Sequence, residues 1–197
     1  VCSSDLVYNY LVVYIVVFIY KIFYVFNKFS EGYKTISKRE FLKMKGWISL
    51  ELQLAIDLLN KEEAAKLAQK VEEYVDIVEI GTPIVINEGL PAVQHLNENI
   101  NNAKVLADLK IMDAADYEVS QAVKYGADIV TILGVAEDAS IKAAVEEAHK
   151  HGKALLVDMI AVQNLEQRAK ELDEMGADYI AVHTGYDLQA EGKSPLD

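Results

Sequence analysis

Cysteine and tryptophan occur once each, at Cys2 and Trp47, and all five Phe lie before position 50, so residues 50–197 contain no Cys, Phe or Trp. The missing thiols exclude disulfides and thiol chemistry from that larger part. No Gly-x-Gly-x-x-Gly occurs anywhere, and the first strand-like run ends at Asp57 followed by Leu58 and Leu59. This argues against a doubly wound sheet, which usually carries a Gly-rich phosphate loop after its first strand. Positive charge is scarce as well. Residues 50–197 hold twelve Lys/Arg against twenty-eight Asp/Glu, a net of −16, which argues against nucleic-acid binding, since that wants a basic face. Residues 1–49 are unlike the rest: they have no Ala or Pro and hold seven Lys/Arg against three Asp/Glu, a net of +4 within the −12 of the whole chain. Such asymmetry points to two origins, not one domain.

The first part carries a nearly unbroken apolar run, Val7 to Tyr20 and Ile22 to Phe26, interrupted by Asn9 and Lys21. About twenty apolar residues are enough to span a bilayer. The cations that follow, Lys28, Lys34, Lys38, Arg39, Lys43 and Lys45, would keep the second part in the cytoplasm. No small-residue cleavage site follows the run, which speaks against a removable signal peptide. A membrane anchor is therefore one reading of residues 1–49. The favoured reading is a non-native extension. Val1 to Leu6 resembles the translation of a common sequencing adapter, and Tyr, Ile, Phe, Asn and Lys make up about half of the residues to position 49, as AT-rich non-coding DNA read in frame would give. On this reading Leu50 is the initiator, the catalytic domain spans 50–197, and there is no membrane contact; an in-frame ATG upstream of position 7 in the complete genomic locus, together with expressed peptides from that segment, would overturn it.

From Leu50 onward strands and helices alternate with little between them. The pattern predicts strand Leu52–Asp57, helix Lys61–Tyr74, strand Val75–Ile80, helix Leu90–Ile100, strand Ala103–Leu109 and helix Ala114–Tyr125. It continues with strand Ala127–Leu133, helix Asp138–His151, strand Lys153–Ile160, helix Leu165–Met175 and strand Ala177–His183. Short apolar strands alternating with amphipathic helices signal a parallel sheet. Tyr125-Gly126-Ala127-Asp128 recurs as Met175-Gly176-Ala177-Asp178, each closing a helix with Gly and opening a strand. These joins give the rhythm of a (β/α)₈ TIM barrel, of which six strands are expected in this chain; two further strand-helix units would complete it.

The chemistry gathers where the strands end. Asp108, Lys110 and Asp113 form an Asp-x-Lys-x-x-Asp motif after the apolar run Val105–Leu109. Side chains two apart in a strand share a face, so Asp108 and Lys110 are predicted to point together at the carboxyl end of the strand, with Asp113 at the start of the next helix. The flanking carboxylates hold the ammonium charged, ready to stabilise an anion forming on a substrate. In a barrel the strand ends converge, which adds Asp57, Glu79, Asp158 and His183 to the same place. So many carboxylates need a compensating cation. Mg²⁺, which takes one or two carboxylates plus substrate oxygens, meets that need, and Glu79 and Asp108 on neighbouring strands are the expected ligands. For Asp158, direct substrate contact and a supporting hydrogen-bonding role both remain open. His95, His149 and His151 are expected on surfaces or helix caps, Glu62-Glu63 and Glu146-Glu147 on solvated helix faces, and Gly89, Gly134 and Gly152 at turns.

Four motifs carry a family resemblance: Leu52-Gln53-Leu54-Ala55-Ile56-Asp57, Val78-Glu79-Ile80-Gly81-Thr82-Pro83, Ala107-Asp108-Leu109-Lys110-Ile111-Met112-Asp113 and Val182-His183-Thr184-Gly185. In this order they resemble the 3-hexulose-6-phosphate synthases of the orotidine-5′-phosphate decarboxylase superfamily, from about position 50 to the end. The resemblance implies a cytoplasmic, Mg²⁺-dependent lyase that condenses the sugar phosphate D-ribulose 5-phosphate with formaldehyde to D-arabino-hex-3-ulose 6-phosphate. It implies that Glu79 and Asp108 hold Mg²⁺ against enediolate oxygens, that Lys110 adds a second positive charge, and that His183 transfers a proton at the sugar carbon. It further implies that Asp57, Glu79, Lys110, Asp113 and Asp158 line the substrate, and that Asp113 reaches the neighbouring subunit's site in a homodimer with shared active sites. Within the superfamily the metal-free orotidine-5′-phosphate decarboxylases carry a lysine where this chain has Glu79. The Mg²⁺-dependent 3-keto-L-gulonate-6-phosphate decarboxylases share Glu79, Asp108, Lys110, Asp113 and His183 but typically have an arginine where Tyr186 stands, so Tyr186 favours the synthase and the decarboxylase is the alternative. A second alternative is an inactive fragment or a membrane-tethered non-enzyme.

Overall fold

The computed structural model describes residues 15–19, 22–26 and 51–194. Two strands, β1 (Ile15–Ile19) and β2 (Ile22–Phe26), form an antiparallel pair. They fall within the apolar run 7–26; the adapter-like start, the basic stretch 28–45 and Leu50 lie outside the described residues. Among the described residues no helix is long and apolar enough to cross a membrane.

Six parallel strands follow: β3 (Gln53–Ile56), β4 (Ile77–Ile80), β5 (Lys104–Ile111), β6 (Ile129–Leu133), β7 (Ala154–Asp158) and β8 (Tyr179–Val182). Each of the first five pairs with the next in sequence, and β2 adds in parallel to β8, giving the order β1-β2-β8-β7-β6-β5-β4-β3. Between them run α1 (Lys61–Val71), α2 (Thr82–Glu88), α3 (Pro91–Asn99), α4 (Ala115–Lys124), α5 (Asp138–Lys150) and α6 (Leu165–Met175), with a short α7 (Tyr186–Ala190) after β8. The six expected strands are present in the expected order, and the arrangement is that of a TIM barrel's β/α units.

Strand periodicity builds two distinct faces. One alternate set, Leu54, Ile56, Val78, Ile80, Val105, Ala107, Val130, Ile132, Leu155 and Val157, packs with buried helix residues such as Ala64, Ala68, Leu96, Ala122, Ile141 and Leu172 in the main core. The other set points inward. Ile77, Leu106, Ile129 and Leu156 form a second buried cluster with Ala154, Tyr179 and Ala181. That residues of β4 through β8 share one cluster requires the sheet to curl. The curl is also visible at its floor, where Lys104 Nζ donates to Glu51 Oε1 (2.9 Å) and to Tyr179 Oη (3.2 Å), and Tyr179 Oη donates to Glu51 Oε2 (3.1 Å). Two residues further along the inward set the side chains change character, to Glu79, Asp108, Thr131 and Asp158.

Local signals explain most boundaries. Asn60 caps α1 with a reciprocal capping box to Glu63, and Gly176, at a φ of 93°, closes α6 in the left-handed conformation that glycine tolerates. Helix α2 was not expected. Pro83 sits in its first turn, where the missing N–H costs nothing, but its seven residues are too few to display a helical period.

Candidate active site

Lys110 and Asp108 do meet, though strand alternation alone is not the cause. The pairing of β5 with β6 shifts register between Ala107 and Ile111, and Lys110 takes a φ of 50°. A non-glycine residue in the left-handed region costs on the order of 1–2 kcal/mol, and such strain gathers at functional sites. The distortion sends the Lys110 N–H to Thr131 Oγ1 (2.9 Å) and places Nζ 2.6 Å from Asp108 Oδ2 and 3.3 Å from Asp158 Oδ2. Burial works to lower the lysine's pKa, but the charges of Asp108 and Asp158, the hydrogen bond to Asp108 and the charge of Glu79 more than offset it, so the ammonium is held above its ordinary value.

Asp108 is buried on the inward face of β5, and both its oxygens accept hydrogen bonds. Its Oδ1 accepts from Thr131 Oγ1 (2.9 Å), and its Oδ2 accepts from Thr82 Oγ1 (2.6 Å) as well as from Lys110. Thr82 and Thr131 had no role in the sequence reading; a hydroxyl on a strand or helix start gives no signal until its partner is known.

Glu79 accepts a hydrogen bond from Gln53 Nε2. Burial, followed by the charges of Asp108 and Asp57, pushes its carboxyl well above the usual range, against the lowering pull of Lys110 and the Gln53 hydrogen bond. Asp57, just past β3, is raised too, by burial first and then by Asp108, with Lys110 and His183 opposing. It lies against Gly81: a Cβ there would come 1.9 Å from Asp57 Oδ1 and 2.8 Å from Ile56 O.

Asp158 resolves as a partner of other side chains. His183 Nδ1 lies 3.0 and 2.9 Å from its two oxygens, and the Ile160 N–H donates to Oδ1 (2.9 Å). Burial acts to raise Asp158, but the His183 hydrogen bond and charge and the Lys110 charge outweigh it and leave the carboxyl below its ordinary value. A carboxylate accepts only, so Nδ1 carries the proton and Nε2 is the basic nitrogen.

Asp113 does not join this cluster. Helix α4 begins at Ala115, one residue later than expected, and Asp113 lies exposed just ahead of its start. Tyr186 is 74 % exposed at the start of α7. His149 and His151 pair on the surface with Asp178 and Glu147, each at 2.9 Å, and His95 lies on α3.

The donor set suits a hard cation held by few protein ligands. Asp57, Glu79 and Asp108 crowd one another electrostatically, a repulsion that a divalent ion relieves. Asp108 accepts three hydrogen bonds of the about four that a carboxylate offers, and Glu79 Oε2 alone takes the Gln53 bond. Among the described residues no cluster of three or more His, Cys, Asp or Glu side chains forms a cage. Two carboxylates plus water and substrate oxygens is the usual Mg²⁺ arrangement.

Comparison with known proteins places this geometry. The model of the Orotidine 5′-phosphate decarboxylase / HUMPS family matches residues 50–195. The 3-hexulose-6-phosphate synthase of Staphylococcus epidermidis is 99% identical over 148 residues, covering 75% of this chain and 70% of the relative. The crystal structure of 3-hexulose-6-phosphate synthase from Salmonella typhimurium superposes with a TM-score of 0.70 at 45% identity, covering 74% of this chain and 69% of that one. A 3-keto-L-gulonate-6-phosphate decarboxylase from Vibrio cholerae gives 0.66 at 28% identity over 72% of this chain and 66% of that one. Six β/α units with acid, base and cation at the carboxyl ends of the strands thus belong to an enzyme of the Orotidine 5′-phosphate decarboxylase / HUMPS family.

Proposed function

We propose that the protein condenses D-ribulose 5-phosphate with formaldehyde in an aldol reaction, giving D-arabino-hex-3-ulose 6-phosphate. A proton leaves the sugar carbon beside the carbonyl, the electron pair forms an enediolate, the carbon attacks formaldehyde, and the new alkoxide oxygen takes up a proton. His183 Nε2, oriented by Asp158, is the group that removes the proton. Lys110, kept charged by Asp108 and Asp158, stabilises the developing anion. Thr82 and Thr131 hold Asp108 in place, and Asp57 lies beside the substrate. Glu79 and Asp108 are the residues that would hold Mg²⁺, which would supply Lewis-acid stabilisation of the developing anion.

The observation that carries this reading is the joint of His183, Asp158, Lys110 and Asp108 in a chain 99% identical over 148 residues to a protein named 3-hexulose-6-phosphate synthase. Ribulose 5-phosphate-dependent loss of formaldehyde, measured with and without EDTA, tests it. Loss that EDTA abolishes and Mg²⁺ restores is expected. Release of CO₂ from 3-keto-L-gulonate 6-phosphate without formaldehyde consumption would move the assignment to the decarboxylase, which Tyr186 argues against.

The exposed position of Asp113, away from its own cluster, supports a homodimer in which this carboxylate completes the partner's site. Mixing Asp113→Asn with Lys110→Met protein should regain activity through hybrid dimers; failure to regain any would remove the shared-site reading. The working location is the cytoplasm, checked by fractionating cells that express the chain.

A further inference from the structure

Gln53 is the inward residue one step before the charged layer, on the strand paired with that of Glu79. It is 6 % exposed, and its Oε1 is the buried side-chain polar atom that finds no hydrogen-bond partner among the described residues. Its Nε2 donates to Glu79 Oε2. A buried polar group left half-satisfied asks for a reason, and packing is not one: Leu or Met would fill the same place with no polar atom. The amide orientation follows from Glu79 alone, because the reversed amide would set oxygen against carboxylate.

We infer that Gln53 is a positioning residue for cation capture, pinning Oε2 of Glu79 so that Oε1 is presented to a divalent ion in a fixed direction. Gln53 acts through Glu79 and touches neither ion nor substrate. The inference rests on the proposed Mg²⁺ site. A carboxylate free to rotate must lose that freedom when the ion binds; one already pinned does not. Partners that orient metal ligands typically change metal affinity about ten- to hundredfold when removed.

The test measures Mn²⁺ binding by the electron paramagnetic resonance of the free ion, without substrate, for the unaltered protein, Gln53→Met and Glu79→Gln. Met removes the donor at similar volume. The expected result is Mn²⁺ binding by the unaltered protein, its loss in Glu79→Gln, and an about ten- to hundredfold weaker affinity in Gln53→Met with an unchanged circular dichroism spectrum. Equal affinity in Gln53→Met and the unaltered protein would overturn the role of Gln53 while leaving the cation site standing. No binding by the unaltered protein would overturn the cation site, and the role of Gln53 with it. A second measurement needs no variant: the Gln53 side-chain amide resonances of ¹⁵N-labelled protein should shift on addition of Mg²⁺, and resonances that stay fixed while the ion binds would refute the inference.

Discussion

His183 presents Nδ1 to both carboxylate oxygens of Asp158, at 3.0 and 2.9 Å, across the junction of β7 and β8. This fixes which nitrogen is basic and holds the ring at one angle. Asp158→Asn keeps the shape but lets the amide offer a donor to the ring, reversing the tautomer. We predict a fall in kcat of about 10²-fold or more, within the range that general acid–base groups contribute, with a small change in KM. A steady-state profile that leaves kcat within twofold would remove the orienting role. Because Asp158 titrates below its ordinary value when folded, its contribution to stability is present above the unfolded carboxylate range and fades as pH falls through the folded value. The melting temperatures of Asp158→Asn and the unaltered protein should therefore converge in acid.

Lys110 is the cation that two buried carboxylates share. Lys110→Met takes from Asp108 and Asp158 the cation they share. Removing one partner of a buried pair costs about 3–5 kcal/mol; the lysine side chain is 27% exposed, so about 2–3 kcal/mol is expected at neutral pH after screening. Its folded pKa is raised, so this stability is complete below the unfolded lysine value and is lost only as pH rises through the folded one. Urea melts at pH 7 and pH 9 should show the same deficit.

Glu79 works against the fold. A carboxyl raised by burial and like charge binds a proton more tightly when folded, so stability falls as pH climbs from the ordinary carboxylate range to the raised value. Glu79→Gln removes that penalty. Without added metal it should melt higher than the unaltered protein at pH 7–8, by roughly 2–4 °C for each kcal/mol relieved, and catalysis should be lost. A lower melting temperature at every pH would contradict the assignment.

Gly81 is required for space, its φ of −69° being open to any residue. A methyl group there would overlap Asp57 Oδ1 and crowd Ile56 O. Gly81→Ala should cost about 1–3 kcal/mol as an overpacked site and raise KM by displacing Asp57. Thermal denaturation beside substrate titration checks both; an unaffected KM would place Asp57 outside the substrate site.

Periodicity and end signals determined the strand order, the alternation of six strands with helices, and the residues at each strand's carboxyl end, because these depend on neighbours a few positions apart. Asp57, Glu79, Asp108, Lys110, Asp158 and His183 were legible for that reason, and the motif order carried the family. What the tertiary structure decided is which of them touch. The left-handed turn at Lys110 that brings its ammonium onto Asp108 accompanies a register shift against β6, the pairing of Asp158 with His183 spans two strands, and the supporting donors Gln53 and Thr131 reach acceptors on the neighbouring strand while Thr82 reaches Asp108 from the start of α2. Asp113 falls outside this set, exposed in the turn between β5 and α4. Local sequence encodes period and termination; contacts between residues 21 to 26 apart in the chain, such as Lys110 with Thr131 and Gln53 with Glu79, are set by which strands lie side by side and in what register.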